Sequence, residues 1–265
     1  IIMIAKQAGS AINSLQMNNS SARAGNPTVR LAARLRFRLA SLLAKAGIQE
    51  QPDGNPLVWN ARRISTRIIL AGLNRMNPSI PVITPTSADI PFSERMNWSH
   101  AWLVNPLDGD EANLNHNIGY TISIALTEGG KPAWGVVYDP FANTVYYAKG
   151  TSASYKIDGD NPPIKLPAQE PLSDGDSDVL LSGSSALHDY TEKNVRARYA
   201  DCDIVSEGRT RAMCRVAEGT ATRHVNLGPT SEWDTAAAHA IMRAAGKHVQ
   251  SYQTGKELAY NKETL

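Results

Sequence analysis

The run Tyr120 to Leu126, the loop Glu128-Gly129-Gly130-Lys131-Pro132 and the run Ala133 to Tyr138 constrain this chain more than any other stretch. Both runs are rich in β-branched and aromatic residues. The glycine pair between them supplies the backbone freedom a tight reversal needs, so the segment predicts an antiparallel hairpin. Val145 to Ala148 predicts a third strand of the same meander, and the apolar run Ala101 to Val104 predicts a buried strand before it. Asn105-Pro106 is expected to stop that strand, because proline removes a ladder donor and holds the preceding residue extended. The stop delivers Asn105, Asp108, Asp110 and Glu111 to a turn. Such oxygen donors suit a hard divalent cation, and they suit equally well an acidic loop capping a helix.

The flanking segments complete a layered pattern. Ile1, Ile4, Ala5, Ala8 and Ile12 share one helical face over Ile1 to Leu15, and Met17 to Pro27 carries the Asn, Ser, Gly and Pro of a loop. Thr28 is placed to cap a second helix in which Leu31, Leu35, Leu39, Leu42 and Ala46 form one stripe, with Gly47 past its end. Glu50 to Pro56 predicts a loop, Arg62 to Met76 a third helix, and Pro81 to Ile83 a short strand. After a polar segment from Pro162 to Asp178 with an edge strand, strands and helices alternate. The strands are expected at Val179–Leu181, Asp203–Val205 and Thr222–Val225, and the helices at Tyr190–Tyr199, Thr210–Ala217 and Trp233–Ala245. An antiparallel meander followed by βαβ units predicts a layered α/β sandwich.

Charge is unevenly spread. Residues 1 to 88 hold eleven Lys and Arg against Glu50 and Asp53, a net +9, so the remainder carries −7 of the overall +2. Arg30, Arg34, Arg36 and Arg38 lie in the second helix with no acid before Glu50 to offset them. Such a stripe is either a solvated face or a docking element for an acidic protein partner, nucleic acid or anionic lipid. No apolar window is long enough for a membrane span, and Cys202 and Cys214 are too few for a disulfide framework or a cysteine zinc site. They are expected to be reduced core thiols, in keeping with a reducing compartment such as cytoplasm or an organelle matrix. The first residue is isoleucine, so the chain offers no reading of a signal or transit peptide.

Several separated motifs carry a resemblance. Trp102-Leu-Val-Asn-Pro-Leu-Asp-Gly-Asp110, Ile122-Ser-Ile-Ala-Leu126, Gly130-Lys-Pro-Ala-Trp-Gly-Val-Val-Tyr138, Val216-Ala-Glu-Gly219 and Gly228-Pro-Thr-Ser-Glu-Trp-Asp-Thr-Ala-Ala-Ala-His239 together resemble the inositol monophosphatase family, most of all its CysQ-type 3′(2′),5′-bisphosphate nucleotidases. The resemblance spans nearly the whole chain except the basic stretch around residues 17–50, which looks like an insertion. It implies the alternating α/β/α/β/α sandwich of the inositol monophosphatase and fructose-1,6-bisphosphatase type in one domain over residues 1–265. An N-terminal α+β half would cover 1–160 and a C-terminal α/β half 161–265. It also implies magnesium-assisted attack of water on a phosphate monoester, with carboxylates converging on one small volume.

Carried over residue by residue, that resemblance keeps Asp108 and Asp234 as metal ligands. Asn105 replaces an aspartate, the Leu107 carbonyl is kept, and Asp110 stands where a threonine orients the attacking water. The family's glutamate pair falls on Pro85 and Thr86, and its helical acid on or near Arg62. On the substrate side, Gly109, Ser184, Arg209 and Arg211 occupy the corresponding positions. With most anionic ligands replaced, the expectation is a catalytically impaired or inactive homologue retained as a structural or regulatory subunit, with magnesium dispensable and the basic helix as its assembly contact. A homodimer remains open. The alternative is an active magnesium-dependent phosphatase that releases phosphate from 3′-phosphoadenosine 5′-phosphate or a related inositol or sugar phosphate through Asp108 and Asp110.

Overall fold

The hairpin expected from sequence sits at the middle of a seven-stranded sheet. The computed structural model describes residues 1–23, 56–87, 89–109, 119–167, 178–181, 192–197 and 203–265. The sheet runs in chain order through β1 (Val82–Ile83), β2 (His100–Asp108), β3 (Thr121–Glu128), β4 (Lys131–Asp139), β5 (Thr144–Lys149), β6 (Ser154–Asp158) and β7 (Ile164–Leu166). Only β1 pairs in parallel, against β2; every later neighbour is antiparallel. Gly129 and Gly130 connect β3 to β4 with φ of 54° and 73°, left-handed geometry that glycine adopts without steric cost.

Alternation along these strands separates two cores. Trp102, Val104, Ile122, Ile124, Val136 and Tyr138 face α1 (Ile2–Arg23) and α2 (Pro56–Met76), joining Ile4, Ala5, Ala8, Ile12, Ile69 and Leu73. Leu103, Ala125, Val137 and Ala148 face the opposite way, toward α4 (Arg209–Glu218) and α5 (Glu232–Ala244). The alanines of α5 allow close approach to the sheet. A Cβ on Gly135 of β4 would collide with the Ala237 carbonyl, so that position requires glycine. Beyond α4 lies a parallel three-stranded sheet, ordered β10 (Arg223–Val225), β8 (Asp178–Leu181) and β9 (Asp203–Ser206). Helix pair, sheet, helix pair and sheet thus stack in the order of the α/β sandwich expected from the resemblance.

Three boundaries and one strand differ from the sequence expectation. α1 runs on to Arg23 through Asn18 to Ser21, because asparagine and serine weaken an established helix without breaking it. α2 begins at Pro56, since proline is tolerated in a first turn that lacks N–H partners anyway. β2 does not stop at Asn105-Pro106. The pairing skips Pro106 and Leu107 and resumes at Asp108 opposite Thr121, a bulge that absorbs the missing proline donor. β6 was not anticipated, because Ser154, Lys156 and Asp158 alternate with Tyr155 and Ile157 too briefly to stand out. The helix expected at Thr28 to Ala46, with Arg30, Arg34, Arg36 and Arg38, lies outside the described residues, as does Cys202. Of Tyr190 to Tyr199, residues 192–197 are described and helical. Cys214 is a free, buried thiol.

The C-terminal tail is tied down by an internal cation. Arg95, in α3 (Phe92–Arg95), is 2% exposed. It donates from Nε to the Ile90 carbonyl, from Nη1 to Asn261 Oδ1 and the Lys262 carbonyl, and from Nη2 to the Glu263 carbonyl. Glu232, in the first turn of α5, accepts the backbone N–H groups of Asn261 and Lys262. His239, fully buried in the same helix, closes the arrangement against Tyr260 and Glu257.

Candidate active site

The bulge in β2 places the site. Skipping two residues of pairing turns Asn105, Leu107 and Asp108 toward the ends of three other elements. Ser65 of α2 donates to the Pro106 carbonyl at 2.6 Å, fixing that helix against the bulge. Arg62 lies three residues earlier on α2 and so shares the face of Ser65. The result is a cavity of about 360 Å³ lined by Arg62, Pro85, Asn105, Leu107, Asp108, Gly109, Arg209, Trp233 and Asp234.

Within it protein donors engage both oxygens of Asp234 and one oxygen of Asp108. Asn105 Nδ2 donates to Asp234 Oδ1 at 2.9 Å, while its Oδ1 accepts the Leu107 N–H at 3.2 Å. That amide orientation is the one that serves both neighbours; an aspartate at 105 would set two carboxylates against each other. Asp234 Oδ2 accepts the Arg209 guanidinium at 2.7 Å and the Ser231 N–H at 2.9 Å. Arg209 Nη2 reaches the Pro229 carbonyl at 3.3 Å. Thr210 donates to Asp108 Oδ2 at 2.5 Å. Enclosure raises the Asp108 carboxyl above its ordinary range; Asp234 adds to this, while the Thr210 hydrogen bond and the charges of Arg209 and Arg62 oppose it.

Six expected site residues therefore meet: Asn105, Leu107, Asp108, Gly109, Arg209 and Asp234. Arg62 and Pro85 join them at positions where the resemblance places acids. Thr86 does not line the cavity and lies 2.9 Å from the Thr84 hydroxyl. Arg211 is set apart as well, facing Glu207 at 3.3 Å and Asp139 at 3.6 Å, so its charge is spent on acids outside the cavity. Asp110 and Ser184 lie outside the described residues. Neither Thr210 nor Trp233 was assigned to the site from sequence, although Trp233 stands in the motif that carries Asp234; the signal for Thr210 was its place beside Arg209 in the first turn of a predicted helix. Burial, then the charge of Arg209, lowers the His224 pKa to about 4, so this imidazole is neutral near pH 7 and supplies no cation.

Residues 21–265 match the model of the inositol monophosphatase family. The chain belongs to that family. It is 40% identical over 195 residues to the 3′(2′),5′-bisphosphate nucleotidase CysQ of Salmonella typhimurium strain LT2, covering 73% of this chain and 75% of that protein. Identity to CysQ of Escherichia coli strain K12 is 38% over 215 residues, covering 80% and 82%. The crystal structure of CysQ from Bacteroides thetaiotaomicron superposes with a TM-score of 0.74 at 28% identity, covering 99% of this chain and 91% of that one. The layered sandwich is accordingly the inositol monophosphatase fold, and the chain is a CysQ-like member of the family.

The magnesium implied by the resemblance can be tested against these donors. Magnesium dehydrates reluctantly and needs hard oxygen ligands in near-octahedral array. Here both carboxylates spend oxygen atoms on an amide, a guanidinium, a backbone N–H and a hydroxyl, and Arg62 adds positive charge to the same cavity. Among the described residues no group of three His, Cys, Asp or Glu side chains is arranged to hold a metal ion. The described residues do not fit a magnesium ion. No helix among them is long and apolar enough to cross a membrane.

Proposed function

We propose that this chain is a catalytically impaired or inactive homologue of a 3′(2′),5′-bisphosphate nucleotidase, retained as a structural or regulatory subunit. The observation that carries this reading is the Arg209–Asp234 ion pair at 2.7 Å, reinforced by Asn105 on the other carboxylate oxygen. A guanidinium and an amide now occupy the carboxylate that a metal would take. Asp108 has no second described acid free to share a cation with it. Arg62 and Pro85 line the same cavity, so positive and neutral groups stand at the positions where the resemblance expects anionic ligands.

A second reading is favoured by what remains. Asp108 and Asp234 still converge on one cavity, and identity to CysQ nucleotidases reaches 40%. An active magnesium-dependent phosphatase would release phosphate from 3′-phosphoadenosine 5′-phosphate or a related inositol or sugar phosphate. One assay separates the two: phosphate release from that nucleotide and from inositol monophosphate, with and without magnesium, for the parent and for Asp108→Asn. We expect no magnesium-dependent turnover in either. Turnover by the parent that Asp108→Asn abolishes would overturn the inactive-homologue reading. The assembly role rests on the basic stretch. Changing Arg30, Arg34, Arg36 and Arg38 to Gln is expected to remove a partner on co-purification from native lysate, and an unchanged partner profile refutes that contact.

A further inference from the structure

We propose that the open face of β4 to β7 is a stacking platform for single-stranded nucleic acid. Trp134 of β4, Tyr147 and Lys149 of β5, Tyr155 of β6 and Lys165 of β7 stand on the side of the sheet that α1 and α2 cover over β2, β3 and β4. Register sets them in two rows. Tyr147 lies opposite Tyr155 and Tyr155 opposite Lys165, while Trp134 lies opposite Lys149, two residues along β5. The three rings are half-buried and both lysines are exposed. The Tyr147 and Tyr155 rings are inclined by only 20° with centroids 5.3 Å apart, and Lys149 Nζ stands 5.0 Å from the centre of the Trp134 ring.

Aromatic side chains held at a sheet surface offer flat apolar area to another planar group, and every base has such a face. Charge decides between partners. Among the described residues neither lysine has an ion pair, and the two rows contain no Asp, Glu, Asn or Gln. A sugar would need such carboxylates and amides for its hydroxyl groups, and a second copy of this face would set lysines against lysines. A single strand meets the rings with its bases and the lysines with its phosphates. Stacking reads no base edge, so binding is tolerant of sequence. It is also independent of whether the cavity beside the β2 bulge is active.

Fluorescence anisotropy of the full chain with dye-tagged oligouridylate and oligothymidylate of about ten nucleotides tests the platform. Binding to at least one of the two is expected, and a duplex of the same length should bind more weakly because its bases cannot reach the rings. Tyr147→Leu and Trp134→Leu keep apolar bulk but lose the ring, and each should weaken binding roughly tenfold. Changing Lys149 and Lys165 together to Gln should flatten the fall of affinity with salt, by roughly one in the logarithmic slope. Lys256→Gln, on an exposed side chain of the tail, should leave affinity and slope unchanged. The lysine changes are at exposed positions and keep the test open if a leucine variant does not fold. No single strand bound, a duplex bound as tightly, or affinity indifferent to loss of the rings would each overturn the platform. Self-association that Tyr147→Leu abolishes, with no oligonucleotide bound, would assign the face to a second copy instead.

Discussion

Two acids in the first turn of α5 serve two different arginine environments. Glu232 points into the tail clasp, where Arg95 is 2% exposed and each of its three nitrogens has an acceptor, four in all. Asp234, two residues on, points into the cavity, where Arg209 and Arg62 each keep a buried Nε without a partner among the described residues. The clasp is complete in itself, as buried charge must be if it only holds a structure together. The cavity balances its charges through Arg209 and Asp234 but leaves two buried donors unpaired. Burial of a charged side chain therefore does not distinguish the two roles; the accounting of its donors does.

The largest test of that contrast is Arg95→Met. It removes four hydrogen bonds from a buried cation and strands three carbonyls and the Asn261 side chain, so a loss of about 3 kcal/mol or more is expected. Denaturant unfolding measures it, and hydrogen exchange should show the tail at 261–263 opening first. A loss below about 1 kcal/mol would mean that the clasp is decorative.

How much of this was legible in the sequence follows from the range of each interaction. The meander could be read from local pattern, because strand alternation and the Gly129-Gly130 turn are encoded within a few residues. The α5 helix could be read the same way, from Trp233 to Ala245. The bulge in β2 could not, since Pro106 argues for a stop unless the Ser65 hydroxyl arriving from α2 is known to hold its carbonyl. The cavity was half legible. The motifs identified Asn105, Asp108 and Asp234, and the resemblance put Arg62 and Pro85 at acid positions, but no spacing reveals that Arg209 would pair with Asp234. Arg95 was invisible for a similar reason. Its partners lie some 170 residues away in sequence, in a tail whose Asn-Lys-Glu composition suggests only solvent.

A smaller effect belongs to His239, the titratable group of the clasp. Its Nε2–H donates to the Glu257 carboxylate at 2.8 Å, and its Nδ1 lies 2.8 Å from the Tyr260 hydroxyl. Burial lowers its pKa below the ordinary 6.5; Glu257 pulls the other way, and the charges of Arg243 and His248 add to the lowering. The sign follows. Above about pH 6.5 the imidazole is neutral folded and unfolded, and no pH dependence arises from it. As pH falls below that value the unfolded chain takes up a proton that the fold refuses, so stability declines. His239→Gln should cost about 1–3 kcal/mol at neutral pH through the two lost hydrogen bonds, and should flatten the decline below pH 6.5. An equally steep decline in the variant would assign the acid sensitivity to another group.

The smallest expected effect sharpens the comparison most. Arg62→Met deletes a half-buried guanidinium whose Nε satisfies nothing, and among the influences on Asp108 its charge is the weakest. Methionine retains much of the aliphatic stem, so the packing of that stem is largely kept. The stability change should stay within about 1 kcal/mol of zero, and relief of the unpartnered donor can make it stabilising. Paired thermal melts of Arg62→Met and Arg95→Met, in EDTA, give the contrast directly. Similar large losses in both would place Arg62 in the scaffold. A near-neutral Arg62→Met beside a large loss in Arg95→Met would show that the partners of a guanidinium, and not its burial, decide what it contributes to the fold, because a donor without an acceptor has no hydrogen bond to lose.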